Sequence, residues 1–128
     1  LKQALYPVAS SRKAGAILVA GSDAPVDSRD PRPFANMAAG VNHAPQSGDD
    51  FRASQRITLD QMLDAYTING ARAVRQQAIS GSIEAGKSAD FIVLDRDLYQ
   101  LVASGKPEQI ADTNVTRTVF RGQTVFSQ

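Results

Sequence analysis

Three stretches of this 128-residue chain carry residue types that can do chemistry. The first is Ala16-Ile17-Leu18-Val19-Ala20-Gly21-Ser22-Asp23-Ala24-Pro25, an unbroken apolar run that ends in a carboxylate. At the carboxyl end of a buried strand, an aspartate can ligate a metal or take up and return a proton. An aspartate shortly before a proline also builds turns, so the residue type alone leaves both roles open for Asp23. The second is His43, the single histidine. Metal sites need several ligands brought together, and in a polar loop near Pro45 a lone histidine reads more simply as a solvated or turn residue. The third is Gly81-Ser82-Ile83-Glu84-Ala85-Gly86-Lys87-Ser88, which fits the phosphate-loop pattern G-x-x-x-x-G-K-[ST] letter for letter. That motif works only between a strand and a helix, whose N-terminus and loop amides surround the phosphates. Here a helical pattern precedes it and the apolar run Phe91-Ile92-Val93-Leu94 follows it. The stretch therefore reads as a tight turn, with Gly86 at positive φ and Lys87 exposed.

The elements around these residues follow from pattern. Residues 16–21 read as a strand buried on both faces, as in parallel α/β sheets, and Pro25 ends it. Pro7 and Gly15 bracket a short helix over 8–14, with Arg12 and Lys13 at its negative end. Pro25, Pro31 and Pro33 stiffen the loop that follows, in which Asp27 and Asp30 read as turn formers rather than cation ligands. Phe34, Met37, Ala38 and Val41 recur at helical spacing, and residues 42–54 read as an exposed polar loop. Thr58 and Gln61 match the capping box and open a helix over 58–76. Leu59, Met62, Leu63, Tyr66, Gly70, Ala73 and Val74 share one face of that helix, Asp64 and Arg75 face away, and a joint is expected near Asn69-Gly70. Residues 91–94 form an apolar strand, 97–102 an irregular connection and 107–111 a single helical turn. The β-branched and aromatic runs 115–120 and 124–126 form a hairpin, with Gly122 in its turn.

Composition bounds the function classes. A 42% hydrophobic and 21% charged chain of this length can bury one core. A net charge of +1 offers no field for nucleic acid or an anionic membrane. No cysteine is present, which excludes disulfides and thiolate metal sites. No apolar run approaches the roughly 20 residues of a membrane span. With no secretory signal visible, the expectation is a cytoplasmic protein, and the sequon Asn114-Val115-Thr116 reads as chance.

Four segments then occur in a telling order: Gly21-Ser22-Asp23-Ala24-Pro25; Thr58-Leu59 through Tyr66-Thr67-Ile68-Asn69-Gly70-Ala71; the string 81–95 ending Ala89-Asp90-Phe91-Ile92-Val93-Leu94-Asp95; and the hairpin with Gly122. Together they resemble the C-terminal end of metal-dependent amidohydrolases, nearest the amidohydrolase 3 subgroup that contains YtcJ-type proteins. The resemblance implies an α/β fold: the last strand and helices of a (β/α)₈ barrel over 1–76, and the C-terminal strands of a flanking composite β-sandwich over 77–128. It implies hydrolysis of C–N bonds in non-peptide amides or related small molecules by a metal-activated water. Asp23 takes the place of the strand-end aspartate as metal ligand and proton shuttle. A divalent metal, zinc, is implied in the full-length parent. The upstream ligands of the family have no counterparts in this chain. The fragment alone is therefore expected to be inactive, to hold no tight metal, and to self-associate through faces the rest of the barrel would cover. Two other classes compete with this reading: a non-catalytic structural or interaction module, and a nucleotide binder built on 81–88.

Overall fold

The computed structural model describes residues 7–26, 29–42 and 54–128. The fold mixes helix and strand. Helix α1 spans Val8–Lys13, α2 Phe34–Asn42, α3 Leu59–Tyr66 and α4 Ile68–Ala73. Strand β1 follows at Phe91–Leu94, helix α5 at Leu98–Ala103, and a 3₁₀ helix at Pro107–Asp112. The hairpin is β2, Val115–Phe120, and β3, Gln123–Ser127. No helix among the described residues is long and apolar enough to cross a membrane.

The core is made by the apolar stripes. Phe34, Met37 and Ala38 of α2 pack with Ile57, with Leu59 and Met62 of α3, with Leu98 of α5 and with Ile110 of the 3₁₀ helix. Leu94 and Val115 bring the sheet up to this cluster, and Leu18 brings up the apolar run of residues 16–20. Each of the larger side chains contributes about 1.5–3 kcal/mol by leaving water. A polar clasp closes the rim: the Gln55 amide, 5% exposed, accepts the Ser10 N–H at 3.1 Å and donates to Ser10 Oγ at 3.0 Å. Tyr99 of α5 donates its hydroxyl to Asp60 of α3 at 2.6 Å.

Local chemistry fixes the helix ends. The Thr58 side chain accepts the Gln61 N–H at 3.2 Å and the Gln61 side chain accepts the Thr58 N–H at 3.1 Å, so the expected capping box is present. The long helix breaks at Thr67 (φ −126°, ψ −99°) rather than at Asn69-Gly70. There the threonine hydroxyl bonds back to the Leu63 carbonyl at 2.6 Å, a contact that competes with continuation of the backbone ladder. The helix ends at Ala73, and Val74, expected on the packed face, is 64% exposed. The connection at 97–102 is not irregular. Asp97 caps it by accepting the N–H groups of Tyr99 and Gln100, and α5 forms.

Residues 16–21 depart furthest from expectation. They form no strand and join no sheet, and Ile17 and Val19 are 64% and 50% exposed. Among the described residues no strand lies alongside to take their amides. Ala20 instead donates its N–H to the Ala65 carbonyl near the end of α3, at 3.1 Å.

The sheet is antiparallel in the order β1-β2-β3. Phe91 lies opposite Val119 and Leu94 opposite Val115, with a register shift after Val93. Phe120 lies opposite Gln123. The hairpin loop is therefore two residues, Arg121 (φ 50°) and Gly122 (φ 77°). Two positive φ values in succession twist the chain to suit the strands it joins. Arg121 carries a side chain in this region, and the Asp90 carboxylate holds its N–H at 2.7 Å while Ala89 accepts the Gly122 N–H at 3.0 Å.

At the other end of β1, Asp95 joins the two strands. Its carboxylate accepts from Arg96 Nε at 3.0 Å and from Asn114 N and Nδ2 at 3.0 and 2.9 Å. The Arg96 hydrogen bond, then those from Asn114, hold the Asp95 carboxyl well below its ordinary value of 3.8. A lowered folded-state pKa stabilises the fold above the unfolded value and loses that contribution as acid titrates the group. The melting temperature of the wild-type chain should fall as pH drops below about 4. In Asp95→Asn this component of the acid loss should be missing. Parallel acid-melting curves for the two proteins would contradict the assignment.

Candidate functional site

Asp23 lies just beyond the apolar run 16–20, exposed to solvent, at φ 52°. Side chains other than glycine rarely take this conformation, and aspartate is among those that do so at least cost. The backbone turns here: Val26 donates its N–H to the Asp23 carbonyl at 2.9 Å, and the Ala24–Pro25 peptide is cis. Ser22 Oγ accepts the Ala24 N–H at 3.2 Å. On the residue before that serine, the Gly21 carbonyl accepts from Asn36 Nδ2 of α2 at 3.1 Å. The carboxylate is thus presented outward on a turn tied to one helix through Asn36 and to another through Ala20.

One carboxylate is an oxygen donor able to fill a single position of a zinc-type site. Among the described residues no three His, Cys, Asp or Glu side chains come together to complete one. Asp30 accepts the Arg32 N–H at 3.0 Å and forms an ion pair with its guanidinium at 2.7 Å, the turn role expected of it. His43 and Asp27 lie outside the described residues.

The phosphate-loop string is a turn. Lys87 donates its N–H to the Glu84 carbonyl at 3.2 Å, Gly86 has φ 89°, and Ser88 donates to the Ile79 carbonyl at 2.8 Å. Strand β1 comes next, so no helix N-terminus faces a phosphate. Lys87 is not exposed as expected: its side chain is 13% accessible and its ammonium is bonded to Ser82 Oγ and paired with Glu84 at 3.0 Å. The charge is consumed within its own turn. Gly81 (φ 91°) seats that turn against α4, where an added Cβ would lie 2.7 Å from Ala71 Cβ and 3.0 Å from Ile68 Cα.

Asn36 and Gln55 escaped the sequence reading. The only signal for Asn36 was a poor helix former in the first turn of a helix, which also describes many solvated residues.

A model of the amidohydrolase family matches residues 2–126. This chain belongs to the amidohydrolase family. It is 38% identical over 118 residues to the N-substituted formamide deformylase of Arthrobacter pascens, a match that covers 92% of the chain and 21% of that protein. It is 27% identical over 117 residues to the putative amidohydrolase YtcJ of Bacillus subtilis, covering 89% of the chain and 21% of that protein. A shorter match, 43% over 47 residues, is to an imidazolonepropionase of Bacteroides fragilis, covering 37% of the chain and 11% of that protein. An amidohydrolase structure from Thermotoga maritima superposes with a TM-score of 0.67 at 22% identity, over 94% of this chain and 26% of that one. The amidohydrolase chain therefore spans about a fifth of the length of the relatives it matches most fully.

Proposed function

We propose that this chain is the C-terminal part of a cytoplasmic, metal-dependent hydrolase of C–N bonds in small non-peptide amides, with Asp23 as its proton shuttle. Residues 1–76 are read as the last strand and helices of a (β/α)₈ barrel, and 77–128 as the C-terminal strands of a composite β-sandwich. The observation that carries the reading is Asp23 itself, an exposed carboxylate held at φ 52° directly after the apolar run 16–20. In barrel enzymes, chemistry collects at the carboxyl ends of the strands, the place this reading gives the run. The matches to proteins named a formamide deformylase and an imidazolonepropionase support a small-molecule amide as substrate.

Asp23 accepts a proton from the water that adds to the amide carbonyl carbon. It then delivers that proton to the leaving nitrogen as the C–N bond breaks, so an N-alkylformamide gives formate and an amine. A bound divalent metal would supply the lowered pKa of the water and polarise the carbonyl. The test is formate release from N-butylformamide and related simple amides by the complete enzyme. Absence of any amide hydrolysis by metal-replete enzyme would reject the reading.

The same reading accounts for uncovered apolar surface. Ile17 and Val19 lie in the run before Asp23, and Phe120, Val125 and Phe126 on the sheet are 52%, 61% and 43% exposed. On this reading the rest of the parent enzyme covers these side chains. The isolated chain is expected to pair with copies of itself through them, and a monomer in sedimentation at high concentration would contradict this.

A further inference from the structure

We propose that Asn36 is a positioning residue for Asp23, an inference that rests on the proton-shuttle reading above. Among the described residues, the bonds that hold residues 21–23 divide into two kinds. The Val26-to-Asp23 and Ala24-to-Ser22 hydrogen bonds lie inside the turn and travel with it wherever it goes. The bond from Asn36 Nδ2 to the Gly21 carbonyl, 3.1 Å long and fifteen residues apart in sequence, fixes the turn to another element. That element is immobile for a visible reason. Phe34, Met37 and Ala38, on either side of Asn36, are 2%, 4% and 6% exposed and anchor α2 in the core.

A second tie, from Ala20 N to the Ala65 carbonyl, lies on the other side of Gly21 and fixes the run before the turn. With Ala20 held alone, the chain can still pivot about Gly21. Glycine, with no side chain to restrict them, leaves both of its dihedrals free. The Asn36 bond to the Gly21 carbonyl removes that pivot. It thereby fixes the direction in which the next residue but one, Asp23, presents its carboxylate. An ångström of misplacement of a reacting group can cost about a hundredfold in rate.

The experiment uses the complete enzyme with N-butylformamide as probe and four further proteins: Asn36→Ala, the near-isosteric Asn36→Asp, Asp23→Asn, and Asp23→Asn combined with Asn36→Ala. Asn36→Ala should lower kcat by about tenfold to a hundredfold with KM within about twofold. Asn36→Asp keeps the shape but loses the donor, and should behave the same way. Deuterium uptake of peptides covering residues 20–26 should rise in both, with α3 unchanged. In the Asp23→Asn background, Asn36→Ala should cost nothing further, because there is no shuttle left to aim. Wild-type kcat in Asn36→Ala or Asn36→Asp would overturn the proposal, as would unchanged uptake over 20–26 or an equal loss in the Asp23→Asn background. Each of these leaves the shuttle reading intact. A wild-type rate in Asp23→Asn alone would remove the shuttle reading instead, and so separates the two failures.

Discussion

Asp23→Asn is expected to lower kcat of the complete enzyme by about 10²- to 10⁴-fold while leaving the fold unchanged. The substitution removes the charge and the proton acceptor and little else. Asparagine shares with aspartate a tolerance for left-handed backbone, so φ 52° is retained at small cost. Among the described residues, the turn around Asp23 is closed by backbone groups and by Ser22, not by its own carboxylate. Asp23→Ala would be a poorer experiment, since it mixes backbone strain with the chemical loss. Lys87→Ala is the matching control. Its ammonium binds Ser82 and Glu84 of its own turn, so turnover should stay close to wild type. The reverse pattern, with Lys87 essential and Asp23 dispensable, would end the amidohydrolase mechanism and revive the nucleotide one. The isolated chain should neither hydrolyse amides nor retain zinc on dialysis, because one carboxylate fills one of about four coordination positions.

The second large effect is on stability, at Gly81. Gly81→Ala should destabilise the protein by about 2–5 kcal/mol, summing a positive-φ cost of about 1–2 and an overpacking cost of about 1–3. The clash is with atoms that cannot step aside: Ile68 Cα is backbone of α4 and Ala71 Cβ is attached to it directly. Gly86→Ala provides the comparison. Its φ is 89°, nearly the same, but nothing lies within 4 Å of the added carbon. It should cost only about 1–2 kcal/mol, the conformational part alone. Denaturant midpoints of the two variants in one background give the difference directly. Equal midpoints would mean that the turn does not rest on α4.

The contrast between those two glycines shows where sequence reading stops. Both stand in the same string, and Gly86 was assigned a positive φ from the turn it makes. That Gly81 also carries a helix against its back is a tertiary fact with no local sign. The same limit explains Lys87. A lysine in a turn reads as exposed, and only the folded positions of Ser82 and Glu84 make it 13% accessible. Features decided within a few residues were legible: the Thr58–Gln61 capping box, the Phe34–Met37–Ala38 stripe, the hairpin around Gly122. The helix break one turn early was not, because Thr67 competes with the ladder through its hydroxyl while Gly70 merely fails to support it. Residues 16–21 failed in the opposite direction. Their apolar content correctly marked a segment with faces to bury, but a strand needs a neighbour, and the described residues supply the Ala65 carbonyl in its place. The turn that follows the run was legible from Asp23 and Pro25. Asn36 was not, since a surface asparagine discloses a carbonyl fifteen residues away only after folding.

The Ser10–Gln55 clasp has a kinetic consequence. It joins residues forty-five apart in sequence, and closing a loop of that length costs about 3 kcal/mol of chain entropy before any contact within it is gained. The β2–β3 hairpin closes over two residues and needs no such search. Local contacts form fast and distant ones slowly. The hairpin should therefore exist while the α1 end is still unattached, with Gln55 and Ser10 meeting late. The order of assembly then runs opposite to the order of the chain: the end remote from Asp23 sets first, and the segment that presents the carboxylate is among the last to find its place.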